Sequence, residues 1–248
     1  MIKHFLDRGV IPSGEDRYIM PFRNSFFKSA FSVDNVIFGL KESKLKVLLI
    51  KRSEVPFINE WALPGDLVRT DENLRDAPKR VLSELTGLQD VYLEQVHTFG
   101  KVDRHPLGRV VTVGYYSLVN INNVKPRASS IASKVKWFNV FDIEELPFDH
   151  FEILGKCIKR LQNSVREMPI GFELLPEKFT LSDVQELYEA VLHKQLDKRN
   201  FRKKFLAMGI LVDVKELQTG VAHRPAKLYK FETSKYEEFK AKGFNFEV

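Results

Sequence analysis

Residues 64–88 read PGDLVRTDENLRDAPKRVLSELTGL, a polar loop that runs into one amphipathic helix. Leu74, Ala77, Val81, Leu82 and Leu85 recur at spacings of three and four, which predicts a helix over 73–87. Pro78 falls early in that helix, where it removes a donor and can distort the first turns. Strand-like runs stand on either side. VDNVIFGL and LKVLLI flank the polar turn LKESK, WALPGDLV follows as a short strand and loop, and VYLEQVHTFG, RVVTVGYYSLVNI and VKWFNVF come after the helix. Residues 149–166 return to helical spacing. A helix set among strands buries its apolar face against their sheet. The expected fold class is therefore α+β, a mixed sheet flanked by helices, over residues 29–165.

The pattern then changes. SVREMPIGFELLPEKFT, with two prolines and a glycine, reads as a linker into a new unit. TLSDVQELYEAVLHKQ is an amphipathic helix with Thr180 or Ser182 as its cap, and Val184, Leu187, Tyr188 and Val191 share one face. LDKRNFRKKFLAMG is a second helix, stopped near Gly209. ILVDVKEL and AKLYKFE are strand-like and joined by QTGVAHRP. Helix, helix, strand, basic loop, strand is the tail of a winged helix, expected over 166–248. Residues 1–28 read as an N-terminal arm with no assigned function.

The single cysteine, Cys157, cannot form an internal disulfide, and the first 20 residues are broken by charge too often for a signal peptide. The apolar runs are far too short to span a bilayer. A cytoplasmic protein with no membrane partner is the expectation. The net charge of +6 is compatible with a nucleic-acid partner, and its placement is informative. Between 194 and 204 stand Lys194, Lys198, Arg199, Arg202, Lys203 and Lys204 against one acid, Asp197. Phe201 and Phe205 would hold this helix down. Lys198, Arg199, Asn200, Arg202 and Lys203 could then face duplex DNA, Asn200 suited to adenine and Arg199 or Arg202 to guanine. His223, Arg224 and Lys227 on the following loop would form a wing near the backbone or minor groove. A solvated basic face is the plain alternative for the helix alone; the two strands and the second basic loop favour DNA.

Residues 64–88 resemble the Nudix box, G-x5-E-x7-R-E-U-x-E-E-x-G-U with U apolar. Glu72, Arg80, Leu82, Gly87 and Leu88 match. The three carboxylates of such a box lie on one helical face and hold divalent metals that activate water. Here that face reads Val81, Glu84, Leu85, and Asp66 stands where the opening glycine belongs. Glu84 is left to pair with Arg80 four residues earlier. The box is therefore degenerate, with no catalytic residue and no metal expected. The six histidines, His97 and His193 among them, show no metal-ligand spacing.

The chain as a whole resembles the Nudix-related transcriptional regulators, which join a Nudix-like domain to a C-terminal winged helix. VLLIKRSEVPFINEWALPG, TFGKVDRHPLGRVV, GFELLPEKFTLSDVQELYEAVL, LDKRNFRKKFLAMGIL and HRPAKLYKF carry the match. The resemblance implies a DNA-binding repressor that works as a homodimer on an operator. It also implies a small-molecule effector, either a pentose sugar such as arabinose or ADP-ribose, with the sugar slightly favoured. Candidate effector contacts are Lys51 and Arg52 after a buried strand, Trp61, Phe99, Asp103, Arg104, His105 and Arg109 on a loop between strands, and Asp149 and His150 at the next helix. Plainer roles stand beside these: Trp61 in the core, Asp149 as a helix cap, Arg104 paired with Asp103 at the surface. No cofactor is expected. The rival functions are a residual hydrolase of a nucleoside diphosphate compound and a non-catalytic protein-interaction module.

Overall fold

The computed structural model describes residues 29–235 apart from 90, 129–131, 168–171, 223 and 233, together with residue 238. The N-terminal arm and His223 lie outside the described residues.

Strands β1 (Ala30–Lys41) and β2 (Lys44–Arg52) form a hairpin whose two turn residues, Glu42 and Ser43, both take positive φ. That is the tight turn whose twist suits antiparallel strands. The sheet runs β3 (Trp61–Ala62), β2, β1, β6 (Val110–Val119), β5 (Glu94–Phe99); β4 (Gly65–Leu67) pairs with β1 and β7 (Ala132–Asn139) with β2. β1 and β6 are parallel and the other pairs antiparallel, so the sheet is mixed as expected. Alternate residues of the central strands feed two opposite layers. Val33, Ile37, Leu48 and Ile50 meet helix α1 (Ala77–Thr86), whereas Val36, Phe38, Val47 and Leu49 share a cluster with helix α2 (His150–Glu167). Cys157 is buried on α2, and burial pushes its thiol up, so it stays a neutral core group.

Two local expectations change. The first helix starts at Ala77, not 73, and Leu74 lies outside it, exposed. Pro78 therefore sits in the first turn, where its missing N–H has no helical partner to lose, and it distorts nothing. The stretch read as a linker is packed in part of its described length. Ser164–Glu167 finish α2, Phe172–Leu174 form a short 3-10 turn, and Leu174, Leu175 and Phe179 are buried.

The last unit opens with helix α3 (Leu181–Leu192), where Thr180 and Asp183 exchange hydrogen bonds in a capping box. Helix α4 (Lys198–Ala207) is capped by Asp197, and β8 (Leu211–Leu217) pairs with β9 (Lys227–Phe231). Tyr188, Phe201 and Phe205 pack ring on ring beneath α4. One apolar cluster runs from the sheet through Leu161 and Val165 to Leu187, Val191 and Phe205.

Candidate functional site

Helix α1 holds the remnant of the box. Val81 and Leu85, standing where the resembled pattern has glutamates, are 0% and 1% exposed and pack with Val33, Ile50 and Val113. Burial of each is worth about 1.5–3 kcal/mol. The nearby acids are held by arginines. Arg80 donates to Glu72 at 2.7 and 2.8 Å, to Asp66 and Glu84 at 3.0 Å, and to the Leu67 carbonyl oxygen at 2.8 Å. Arg69 reaches both oxygens of Glu84 at 3.0 Å. The Arg80 guanidinium pulls the Glu72 carboxyl down to about 2, and its own pKa is raised in return. Magnesium needs free, hard oxygen ligands. Two ligand positions here are aliphatic and the three remaining acids are bound to guanidinium groups, so the donor set does not fit that ion. Among the described residues no group of three or more His, Cys, Asp or Glu side chains is placed to hold a metal.

A second ionic cluster sits on the other face of the sheet, around Asp34 of β1. Arg104 donates to both oxygens of Asp149 at 2.6 and 2.8 Å and to Asp34 at 3.3 Å. The Thr112 hydroxyl donates to Asp34 at 2.8 Å, and His150 Nε2 stands 3.3 Å from the other Asp34 oxygen. The backbone N–H of Leu63 donates to His150 Nδ1 at 3.1 Å. Nδ1 is thus an acceptor, and the ring is the tautomer that presents Nε2–H to Asp34. Burial pushes the Asp34 carboxyl up, but His150, Arg104 and Thr112 outweigh it and the net pKa is lowered. Gly65 is required beside it, because a Cβ there would lie 2.0 Å from Asp34 Oδ1.

Two adjoining clefts share Arg104 and Phe148. The larger, about 920 Å³, is lined by Trp61, Phe138, Asp103, Arg104, Asp149 and the segment 142–148. The smaller, about 230 Å³, holds Asp34, Arg52, Arg104, His105, Phe148 and His150. Phe148 forms the wall between them. It stacks on His105 at 5.1 Å, meets Phe57 edge-on at 4.7 Å, and lies 5.1 Å from the Arg52 guanidinium. Arg52 is itself fixed by the Pro56 carbonyl at 2.8 Å. Burial, Arg104 and Arg52 hold His105 below its ordinary value, so its ring is neutral at pH 7.

Of the expected contacts, Arg52, Trp61, Asp103, Arg104, Asp149 and His150 come together on these clefts, and His105 with them. Three do not. Phe99 is 5% exposed and packs in the core beside Gly114. Arg109 instead clamps its own loop, donating to the carbonyl oxygens of Gly100 and Lys101 at 2.7 and 2.8 Å. Lys51 pairs in register with Trp61 but lines neither cleft. Arg104 does not pair with Asp103; it is buried against Asp149 and Asp34. Asp34, Thr112 and Gly65 were missed. A lone Asp inside the apolar run VDNVIFGL was the available signal, since a buried acid must have a partner.

On α4 the helical repeat sets Arg199, Asn200 and Lys203 opposite the buried pair Phe201 and Phe205, and all three are exposed. Lys198 is exposed on a flank. Arg202 points away from that ridge and donates to the Ser182 hydroxyl at 2.8 Å, which ties α4 to the start of α3. In the wing, Arg224 is exposed, while Lys227 pairs with Asp213 at 2.9 Å.

The NUDIX domain family matches residues 30–161, and the NrtR DNA-binding winged helix domain family matches residues 171–231. The ADPR responsive transcriptional repressor NtrR of Acinetobacter baylyi is 33% identical over 230 residues, 91% of each chain. The crystal structure of Shewanella oneidensis NrtR complexed with a 27mer DNA superposes with a TM-score of 0.70 at 30% identity, covering 87% of this chain and 97% of that one. The NUDIX domain of the same protein, complexed with ADP ribose, superposes with a TM-score of 0.50 at 34% identity, covering 54% and 88%.

Proposed function

Since this chain belongs to the NrtR family of transcriptional regulators, with a NUDIX domain and an NrtR winged helix, we propose that it represses transcription and that ADP-ribose controls it. The NUDIX domain binds this effector without cleaving it. The observation that carries this reading is the state of helix α1: two ligand positions belong to the core, and every remaining box acid is held by an arginine. The relatives named above favour ADP-ribose over the pentose that the family resemblance slightly preferred.

In this reading residues 29–165 form the effector unit and 166–248 the DNA unit. Trp61 and Phe138, 4.9 Å apart edge to face, offer an aromatic wall for a base or sugar. Arg52 and the neutral His105 offer donors to a pyrophosphate. Asp103 and Asp149 serve as acceptors for ribose hydroxyls, with Asp34, Arg104 and His150 fixing their geometry. The acids that line the large cleft, Glu60, Asp103, Asp142, Glu144, Glu145 and Asp149, argue against placing the diphosphate there. Arg199, Asn200 and Lys203 read the major groove; Lys198, Arg224 and Lys227 contact phosphates. Arg202 supports the helix. The working form is a homodimer on paired half-sites, because one α4 reads only a few base pairs.

The test is binding to duplex DNA from upstream of the protein's own gene at fixed salt, alone and with ADP-ribose, arabinose or xylose. Sequence-specific binding weakened by ADP-ribose alone is expected. Release by a pentose would move the effector assignment to sugars, and indifference to duplex sequence would overturn the regulator.

A further inference from the structure

The two units touch in two different ways. On one side, α2 and α3 share a packed apolar seam of Leu161, Val165, Leu187 and Val191, fixed by Gln162 donating to the Val191 carbonyl at 3.0 Å. On the other, an open cleft of about 530 Å³ separates the β1–β2 turn from the end of α3. Beside the apolar contact of β2 with α3, the Ser43 hydroxyl donates across that region to Glu186 at 2.7 Å, and the Phe141 ring stacks on His193 at 4.0 Å and 30°.

Both partners of that stack are placed to transmit a movement. Phe141 stands in the 3-10 turn Val140–Asp142, and the chain from Phe138 through Asp149 supplies much of the wall of the large cleft. Asp142 lines both that cleft and the open one, so it forms part of the partition between them. His193, unremarkable in the sequence, is the left-handed C-cap of α3 with φ +50°, four residues before the Asp197 cap of α4. A ring at that joint fixes how the DNA-reading helix leaves its predecessor. The packed seam resists sliding and can act as a pivot, whereas the open side can absorb rotation.

The geometry points to the Phe141–His193 stack as the positioning contact through which occupancy of the large cleft resets helix α4. This inference rests on the effector reading above. Displacement of segment 138–149 by a ligand shifts Phe141, the stack carries the shift to His193, and α4 turns about the α2–α3 seam.

The test uses the full chain and an operator duplex at fixed salt, with the ratio of DNA affinities without and with saturating ADP-ribose as the readout. For the unaltered protein a ratio of roughly 5 to 150 is expected, the usual range of coupling between sites. Phe141→Ala should bring the ratio below about 2 while the ADP-ribose dissociation constant, measured by calorimetry without DNA, stays within about threefold. Phe141 is 40% exposed, so truncation leaves no buried void. His193→Asn removes the ring yet keeps a residue that tolerates the left-handed cap, and should act alike. Phe141→Tyr retains the stack and should retain the ratio. Variants that keep the full ratio, or that lose it only in proportion to lost ADP-ribose binding, overturn the inference and leave the effector reading standing. An unaltered protein that does not respond to ADP-ribose overturns both.

Discussion

The two ionic clusters of the NUDIX domain use the same kind of residue to opposite ends. Arg80 gathers Glu72, Asp66 and Glu84 on the rim of α1, where Glu84 and Asp66 keep 43% and 35% of their side-chain surface in water. Arg104 gathers Asp34 and Asp149 where no side chain keeps more than 10%. The first cluster holds a loop against a helix, and each of its acids is paired with a guanidinium group. The second lies in the wall shared by the two clefts, and its members are held by bidentate and backbone contacts. The two clusters can differ this much because they lie on opposite faces of one sheet.

The strongest way to break this comparison is to restore the missing acids. Val81→Glu with Leu85→Glu places two carboxylates in a dry cluster. The double variant should lose at least about 4–5 kcal/mol in chemical denaturation and gain no magnesium-dependent turnover of ADP-ribose. A stable, hydrolytic variant would show that α1 is a dormant metal site and not core.

Next in size is the contrast between the arginines. Arg104→Ala strands two buried carboxylates and should cost about 3–5 kcal/mol, whereas Arg80→Ala, with its acids partly hydrated, should cost nearer 1–2 kcal/mol. Equal losses would erase the distinction. Asp149→Asn should then weaken ADP-ribose binding about tenfold or more, while Glu72→Gln should leave it within about twofold; calorimetric titration of both variants decides.

The smallest effect concerns acid. Glu72 has its folded pKa depressed to about 2 from an ordinary 4.5, so its contribution is complete above pH 4.5 and fades as pH falls toward 2. Glu72→Gln should remove that slope from the urea midpoint over this window, by less than about 1 kcal/mol since the pair borders water. An unchanged slope would detach Glu72 from Arg80.

The elements with strict periodicity were legible in the sequence. The β1–β2 hairpin, the helices α3 and α4, and the wing strands follow from β-branched runs, helical spacing and the Thr180 cap. The linker reading missed the burial of Leu174, Leu175 and Phe179, because prolines and a glycine leave no strong periodicity around them. At the site, spacing alone could not say which of several residues on one loop turns inward. Arg104 and His105 reach the clefts, Arg109 folds back on its own loop, and Phe99 serves the core. Asp34 escaped notice because its partners Arg104, Thr112 and His150, all 70 or more residues away, exist only once the sheet has formed. His193 could not be read at all, since its role depends on a ring contributed by the other unit.

The central claim is that the NUDIX fold survives here as a sensor that does not consume its ligand. The most direct measurement follows operator release over hours after one addition of ADP-ribose in the presence of magnesium. Release that reaches a plateau and holds is the expected result. DNA binding that recovers as ADP-ribose is destroyed, or that never weakens, would contradict the claim.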